Sequence, residues 1–253
     1  MTPSQPCDRT PRHIRVTEIA YARAMEQMKR YAIYYAPEPG LFAERAAEWL
    51  GWDAATGAQV AQPDLRILPR PVSVLTAEPR KYGFHGTLKP PFRLAAGETP
   101  ETLMAGVAAL AARLPACETE GLALTRLGRF LALCPTGDTT GLATLAAEVV
   151  RRLDSFRAPL TEDEIARRRP ERLTPRQREL LDLWGYPYVM EEFRFHLTLT
   201  GGLEPWEMAA VETALTERFA PVQPAPFRVN DLCLFGEAQD GRFHLLHRYA
   251  LTG

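Results

Sequence analysis

One order of segments occurs twice in this chain of 253 residues, and that duplication restricts its fold more than any other feature. The first copy opens on YGFHGTLKPPF (82–92) and the second on FRFHLTLTGGL (193–203), so each carries an aromatic residue, His, one residue, Thr and Leu in turn. A helical pattern follows the first copy: Thr99 and Pro100 read as N-cap and first helical residue, and Leu103, Val107, Leu110 and Leu114 recur at helical spacing. GLALTRL and RFLALCP, parted by Gly128, then read as a strand pair. The second copy repeats the order, with a helix from Trp206 to Phe219 and the strands FRVNDLCLFG and RFHLLHRYAL. As 111 positions separate His85 from His196, the period is too long for a solenoid and predicts two similar lobes.

The remaining segments fit around this duplication. Residues 1–28 read as a polar leader, and 29–253 as a single bilobal domain. RYAIYYA is the first strand, LFAERAAEWLG a short helix, and Leu142, Leu145, Val149 and Leu153 mark another. A charged stretch at about 157–190 reads as a helical insertion: TEDE offers a capping box, and Thr174, Pro175, Gln177 and Gly185 punctuate a second helix. With 46% apolar residues the chain can bury a sizeable core. Thirty Lys and Arg against 31 Asp and Glu leave a formal charge of -1, which argues against a non-specific nucleic-acid binder. Cys7, Cys117, Cys134 and Cys233 form no CxxC pair, so neither a disulfide framework nor a structural zinc site is expected. No run is apolar enough for a membrane span or a signal peptide, which makes a reducing cytoplasm the expected compartment.

Alternation along a strand puts His85 with Thr87 on one face and Phe84, Gly86 and Leu88 on the other; His196 and Thr198 have the same phase, opposite Phe195, Leu197 and Leu199. Two imidazoles and two hydroxyls around one small volume suit the opening of a phosphodiester. One His takes a proton from the attacking oxygen and the other protonates the leaving oxygen, while the hydroxyls hold charge building on phosphorus oxygens. Which His plays which part is open from the sequence. The pattern has no carboxylate or third His for a metal, and no cofactor is expected.

Lys89 and Arg194 share the parity of the histidines and are candidate phosphate contacts, although Pro90 disturbs the strand after Lys89. Tyr34 is a candidate to line the cleft, with core packing as the competing role. The run Arg167 to Arg169 reads as a solvated face balanced by nearby Glu and Asp, more than as a cap over the cleft. His244 and His247, at i and i+3 on a strand, are expected to point apart rather than to share a metal.

FHGTL and FHLTL together resemble the paired signature of the two-histidine (2H) phosphoesterases, which include RNA-end cyclic phosphodiesterases and 2′-5′ RNA ligase-like proteins. From Arg30 onward, YAIYYAPEPG, LTAEPRKYGFHGTLKPPFRL, RRRPERLTPRQRELLDLWGYPYVMEEFRFHLTLTG and FHLLHRYAL resemble the phosphonate-metabolism-associated branch, whose members are often encoded beside carbon–phosphorus lyase genes. The resemblance implies a bilobal α+β fold of antiparallel sheets with flanking helices around a cleft. It carries the catalytic roles onto His85, Thr87, His196 and Thr198. Gly86 stands where the branch commonly has Ala, a difference expected to matter little on a packed face. The implied activity is hydrolysis of a small cyclic phosphodiester, of a sugar or a nucleoside. The competing readings are binding of a phosphorylated metabolite or RNA end without turnover, and RNA 2′-5′ end processing.

Overall fold

A computed structural model describes residues 28–253. The expected leader, with Cys7 and His13, therefore lies outside the described residues except for Met28.

The chain starts with β1 (Tyr31–Tyr35), α1 (Leu41–Leu50), a small hairpin of β2 (Trp52–Asp53) and β3 (Ala58–Gln59), and the single turn α2 (Val72–Leu75). Next come β4 (Gly86–Phe92), α3 (Pro100–Ala111), β5 (Cys117–Thr119), β6 (Gly121–Leu127), β7 (Phe130–Thr136) and α4 (Thr140–Arg152). The charged stretch holds α5 (Glu162–Arg167) and α6 (Pro175–Trp184), and β8 (Leu197–Thr198), α7 (Met208–Phe219), β9 (Phe227–Val229), β10 (Asp231–Glu237) and β11 (Phe243–Ala250) complete the fold.

Local chemistry accounts for the helix ends. Thr99, Thr161 and Thr174 each form a reciprocal capping box with the residue three positions on, which satisfies otherwise orphaned N–H groups. Gly185 ends α6 in the left-handed conformation, φ 73°. α7 starts at Met208 rather than Trp206, because Trp206 and Glu207 remain in turn conformation.

The fold is α+β. Its main sheet has seven strands in the order β11-β10-β1-β4-β8-β7-β6, with every pairing antiparallel. The two antiparallel halves join through β4 and β8, where Gly86 pairs with Leu197. The strand pairs of the duplicated units are exchanged. β6 and β7 follow the first His-x-Thr strand but pair beside the second, whereas β10 and β11 follow the second and lie beside β1 and the first. β5 and β9, which precede the exchanged pairs, also pair with each other.

α4 lies across β4, and α3 across β10 and β11. Between these helices and the sheet sits the main core, including Phe84, Leu88, Phe195, Leu197 and Leu199, while the opposite face of the sheet is left for a cleft. Among the described residues no helix is long and apolar enough to cross a membrane.

Candidate active site

Gly86 and Leu197 are the same position of the two copies, each directly following its histidine. Antiparallel pairing of equivalent positions places a local twofold axis between β4 and β8. One further residue of that register in each direction sets His85 opposite Thr198 and Thr87 opposite His196. All four side chains line one cleft of about 390 Å³.

The two imidazoles are held in the same way. His85 Nδ1 lies 2.9 Å from the carbonyl oxygen of Gly83, and His196 Nδ1 lies 2.8 Å from that of Arg194. A carbonyl can only accept, so each Nδ1 carries the hydrogen and donates it, leaving each Nε2 to exchange a proton with a ligand. Their surroundings differ. The ring of Tyr34 lies 4.0 Å from that of His85 and that of Tyr82 at 5.7 Å, whereas His196 has Phe130 at 5.8 Å. Burial pushes the His85 pKa from 6.5 down to about 4; its bond to Gly83 opposes this and the charge of His196 adds to it. His85 is thus neutral in the free site at neutral pH.

Thr87 and Thr198 are half-buried, and no described residue hydrogen-bonds to either hydroxyl. Thr200, one alternation further along, differs: its Oγ1 accepts from the Leu131 N–H at 3.0 Å, so it is committed to the fold. The two free hydroxyls are available as donors to an anion.

The structure corrects several expectations. Lys89 is buried and does not line the cleft; its Nζ donates to Asp154 Oδ1 at 3.2 Å and to the carbonyl of Val150 at 3.3 Å. Tyr34 pairs with Thr87 while Ile33 pairs with Lys89, so Leu88 is an extra residue on β4. This bulge reverses the alternation and carries Lys89 to the core side. The side chain of Arg194 borders an adjoining cavity of about 570 Å³, and its backbone carbonyl is what touches the site. Tyr34 does line the cleft, but its ring packs on His85, Phe235 and Phe243. Gly86 is not interchangeable with Ala, because a Cβ there would stand 2.2 Å from the ring of Phe195.

Sequence reasoning set Arg168 aside within a run read mainly as a solvated face; it lines the cleft, with its guanidinium 4.7 Å from the ring centre of Tyr186. The only signal was the arginine run, which has no periodicity to tell one member from another. Arg30 also lines the cleft and is paired with Glu237. His244 packs on Trp52 and His247 on Tyr249, both away from the cleft. Among the described residues no three His, Cys, Asp or Glu converge as a metal-ligand set.

A protein family described as "Protein of unknown function (DUF1045)" matches residues 87–244. A "Ribose 1,5-bisphosphate phosphokinase PhnN" of Janthinobacterium sp. (strain Marseille) is 38% identical over 222 residues, covering 85% of this chain and 49% of the relative. One of Laribacter hongkongensis (strain HLHK9) is 35% identical over 217 residues, covering 84% and 49%. The chain thus spans about half the length of the curated relatives it matches. Similar solved structures include a phosphoesterase, at 17% identity and TM-score 0.43 over 89% of this chain and 99% of that one. E. coli LigT complexed with 3′-AMP aligns at 16% identity and TM-score 0.43, again over 89% and 99%.

Proposed function

The chain belongs to the DUF1045 family of proteins of unknown function, and we propose that it is a phosphoesterase that opens a small cyclic phosphodiester by attack of water, without a metal ion. The observation that carries this reading is the pairing of Gly86 with Leu197, through which two His-x-Thr units present two fixed imidazoles and two free hydroxyls to one cleft.

The reaction follows from those groups. A water oxygen forms a bond to phosphorus as His85 Nε2 takes one of its protons; His85 is the base because its burial keeps it neutral. The bond from phosphorus to one ring oxygen breaks, and His196, the more open of the two, gives that oxygen a proton. The products are a phosphate monoester and a free hydroxyl, so atoms and charge balance once the two imidazoles exchange their proton with solvent. The Thr87 and Thr198 hydroxyls donate to the non-bridging oxygens, where charge builds in the five-coordinate state.

The curated relatives are named for a ribose bisphosphate, and a cleft of about 390 Å³ is of a size for one phosphorylated sugar. Both favour a small sugar phosphodiester as substrate over an RNA end.

Turnover of a panel of sugar and nucleoside cyclic phosphates, followed by phosphorus NMR, tests the proposal. His85→Ala and His196→Ala should each lower the rate by about 10²- to 10⁴-fold, and the double variant by less than the product. EDTA should leave the rate unchanged. The acidic limb of kcat/KM should lie near the His85 value of about 4. Parental turnover by His85→Ala, or loss on chelation restored by a divalent ion, overturns the mechanism.

A further inference from the structure

The charged residues lining the cleft, apart from the histidines, are Arg30, Glu78 and Arg168. Arg30 is neutralised by Glu237, and Glu78 by Lys81 at 3.0 Å. Arg168 has no ion pair with any described residue, although other arginines of the same stretch do: Arg157 with Asp154, Arg172 with Glu171, and Arg176 with Glu179 and Glu191. It is half-buried, while Arg167 and Arg169 beside it are exposed. The site therefore holds one cation that the fold leaves uncompensated.

That cation is held in place. α5, which ends at Arg167, is tied to the far end of the His85 strand by Arg93, whose Nη2 and Nε donate to Glu164 at 2.9 and 3.2 Å. Arg93 Nη2 also donates to the Pro159 carbonyl at 2.7 Å, fixing the entry to the helix. The Arg168 guanidinium carbon lies over the Tyr186 ring, 4.7 Å from its centre, a cation–π contact that commits none of its N–H donors. A planar fork of donors with no carboxylate, on the wall of a site built for a phosphodiester, fits the oxygens of a phosphate monoester.

We infer that Arg168 binds a second phosphate, so that the ligand of this cleft carries a phosphate monoester in addition to the phosphate held between Thr87 and Thr198. This rests on the reading of the two His-x-Thr pairs as a phosphate-binding site, but not on its turning anything over. The two phosphates would occupy different parts of one cleft, one between Thr87 and Thr198 and the other at Arg168.

Calorimetric binding of ribose 1,5-bisphosphate and of ribose 1-phosphate, which lacks the monoester assigned to Arg168, separates the two claims, since neither ligand needs to be hydrolysed. The bisphosphate should bind at least tenfold more tightly. Arg168→Gln should weaken the bisphosphate by about 10- to 100-fold and the monophosphate much less, with Arg168→Lys between, because a point charge replaces the fork. Arg169→Gln, altering an exposed neighbour, should match the unaltered protein and controls for damage to the insertion. Equal affinity for the two ligands, no binding of the bisphosphate, or an equal loss for both on Arg168→Gln overturns the inference. Preserved discrimination without turnover of any cyclic phosphate would instead sink the phosphoesterase reading and leave this one standing.

Discussion

At the scale of single residues, Gly86 carries a constraint that neither its motif nor its burial announces. The ring of Phe195 lies over it, fixed in turn by edge contact with Tyr35 and by the tilted ring of Phe227. This is the position at which the two His-x-Thr strands pair, so a methyl group would push apart the strands that hold the two histidines and two threonines together. Gly86→Ala should cost about 1–3 kcal/mol of stability by overpacking. Its turnover should also fall at temperatures where it remains folded, because the imidazoles no longer sit at their native spacing. Denaturant melts together with rates on the folded variant check this, and parental values of both would refute it. Alternation along a strand identified Gly86 as core-facing. What it could not convey was which ring would lie above it, as that ring comes from 109 positions further along the chain.

At the scale of elements, β4 is a strand whose two ends obey different alternations. Pro90 and Pro91 cannot donate to a sheet ladder, and the register shifts twice along β4 against β1. Thr87 therefore faces the cleft while Lys89, two residues on, lies beneath the sheet beside α4. There burial lowers the Lys89 ammonium to about 8 from 10.5, with Asp154 opposing the shift. Asp154 is also held by Arg157 at 2.8 and 3.0 Å, so it keeps a partner if Lys89 is lost. Lys89→Met preserves the packed volume and should keep turnover within about threefold and the fold intact. A drop of tenfold or more in kcat/KM, with an unchanged melt, would return Lys89 to the phosphate site. The helices capped by Thr99, Thr161 and Thr174 needed no such correction, since their caps are read from residues three positions apart. Arg168 was illegible for the converse reason: its place depends on Arg93 and Glu164, 71 residues apart in the chain.

At the scale of the whole molecule, the duplication is expressed as an interlock. Each unit lends its strand pair to the half-sheet of the other, and β5 pairs with β9 near the same axis, where Arg228 bonds Glu118 at 2.6 Å. Neither half-sheet is complete without the other unit, so the lobes should unfold together. Calorimetry should give a single transition, and two resolved transitions would deny the interlock. The transition should also weaken with acid. The unfolded His85 takes up a proton at about 6.5, whereas the native one refuses it until about 4, so stability falls as pH drops through that window. Glu164, held at about 2 by Arg93 against a usual 4.5, extends the loss to lower pH. His85→Phe should flatten the melting curve between pH 6.5 and 4, and an unchanged slope would place the titration elsewhere. The sequence by itself determined the repeated unit, the helix caps, the core-facing aromatics and the His-x-Thr pairs, because each depends on residues within one or two turns or strand steps. The tertiary structure decided the exchange of strand pairs, the bulge that turns Lys89 inward, the contact of Gly86 with Phe195 and the arrival of Arg168 at the cleft. Those depend on which distant segments pair, and hydrogen-bond register between segments has no local signature.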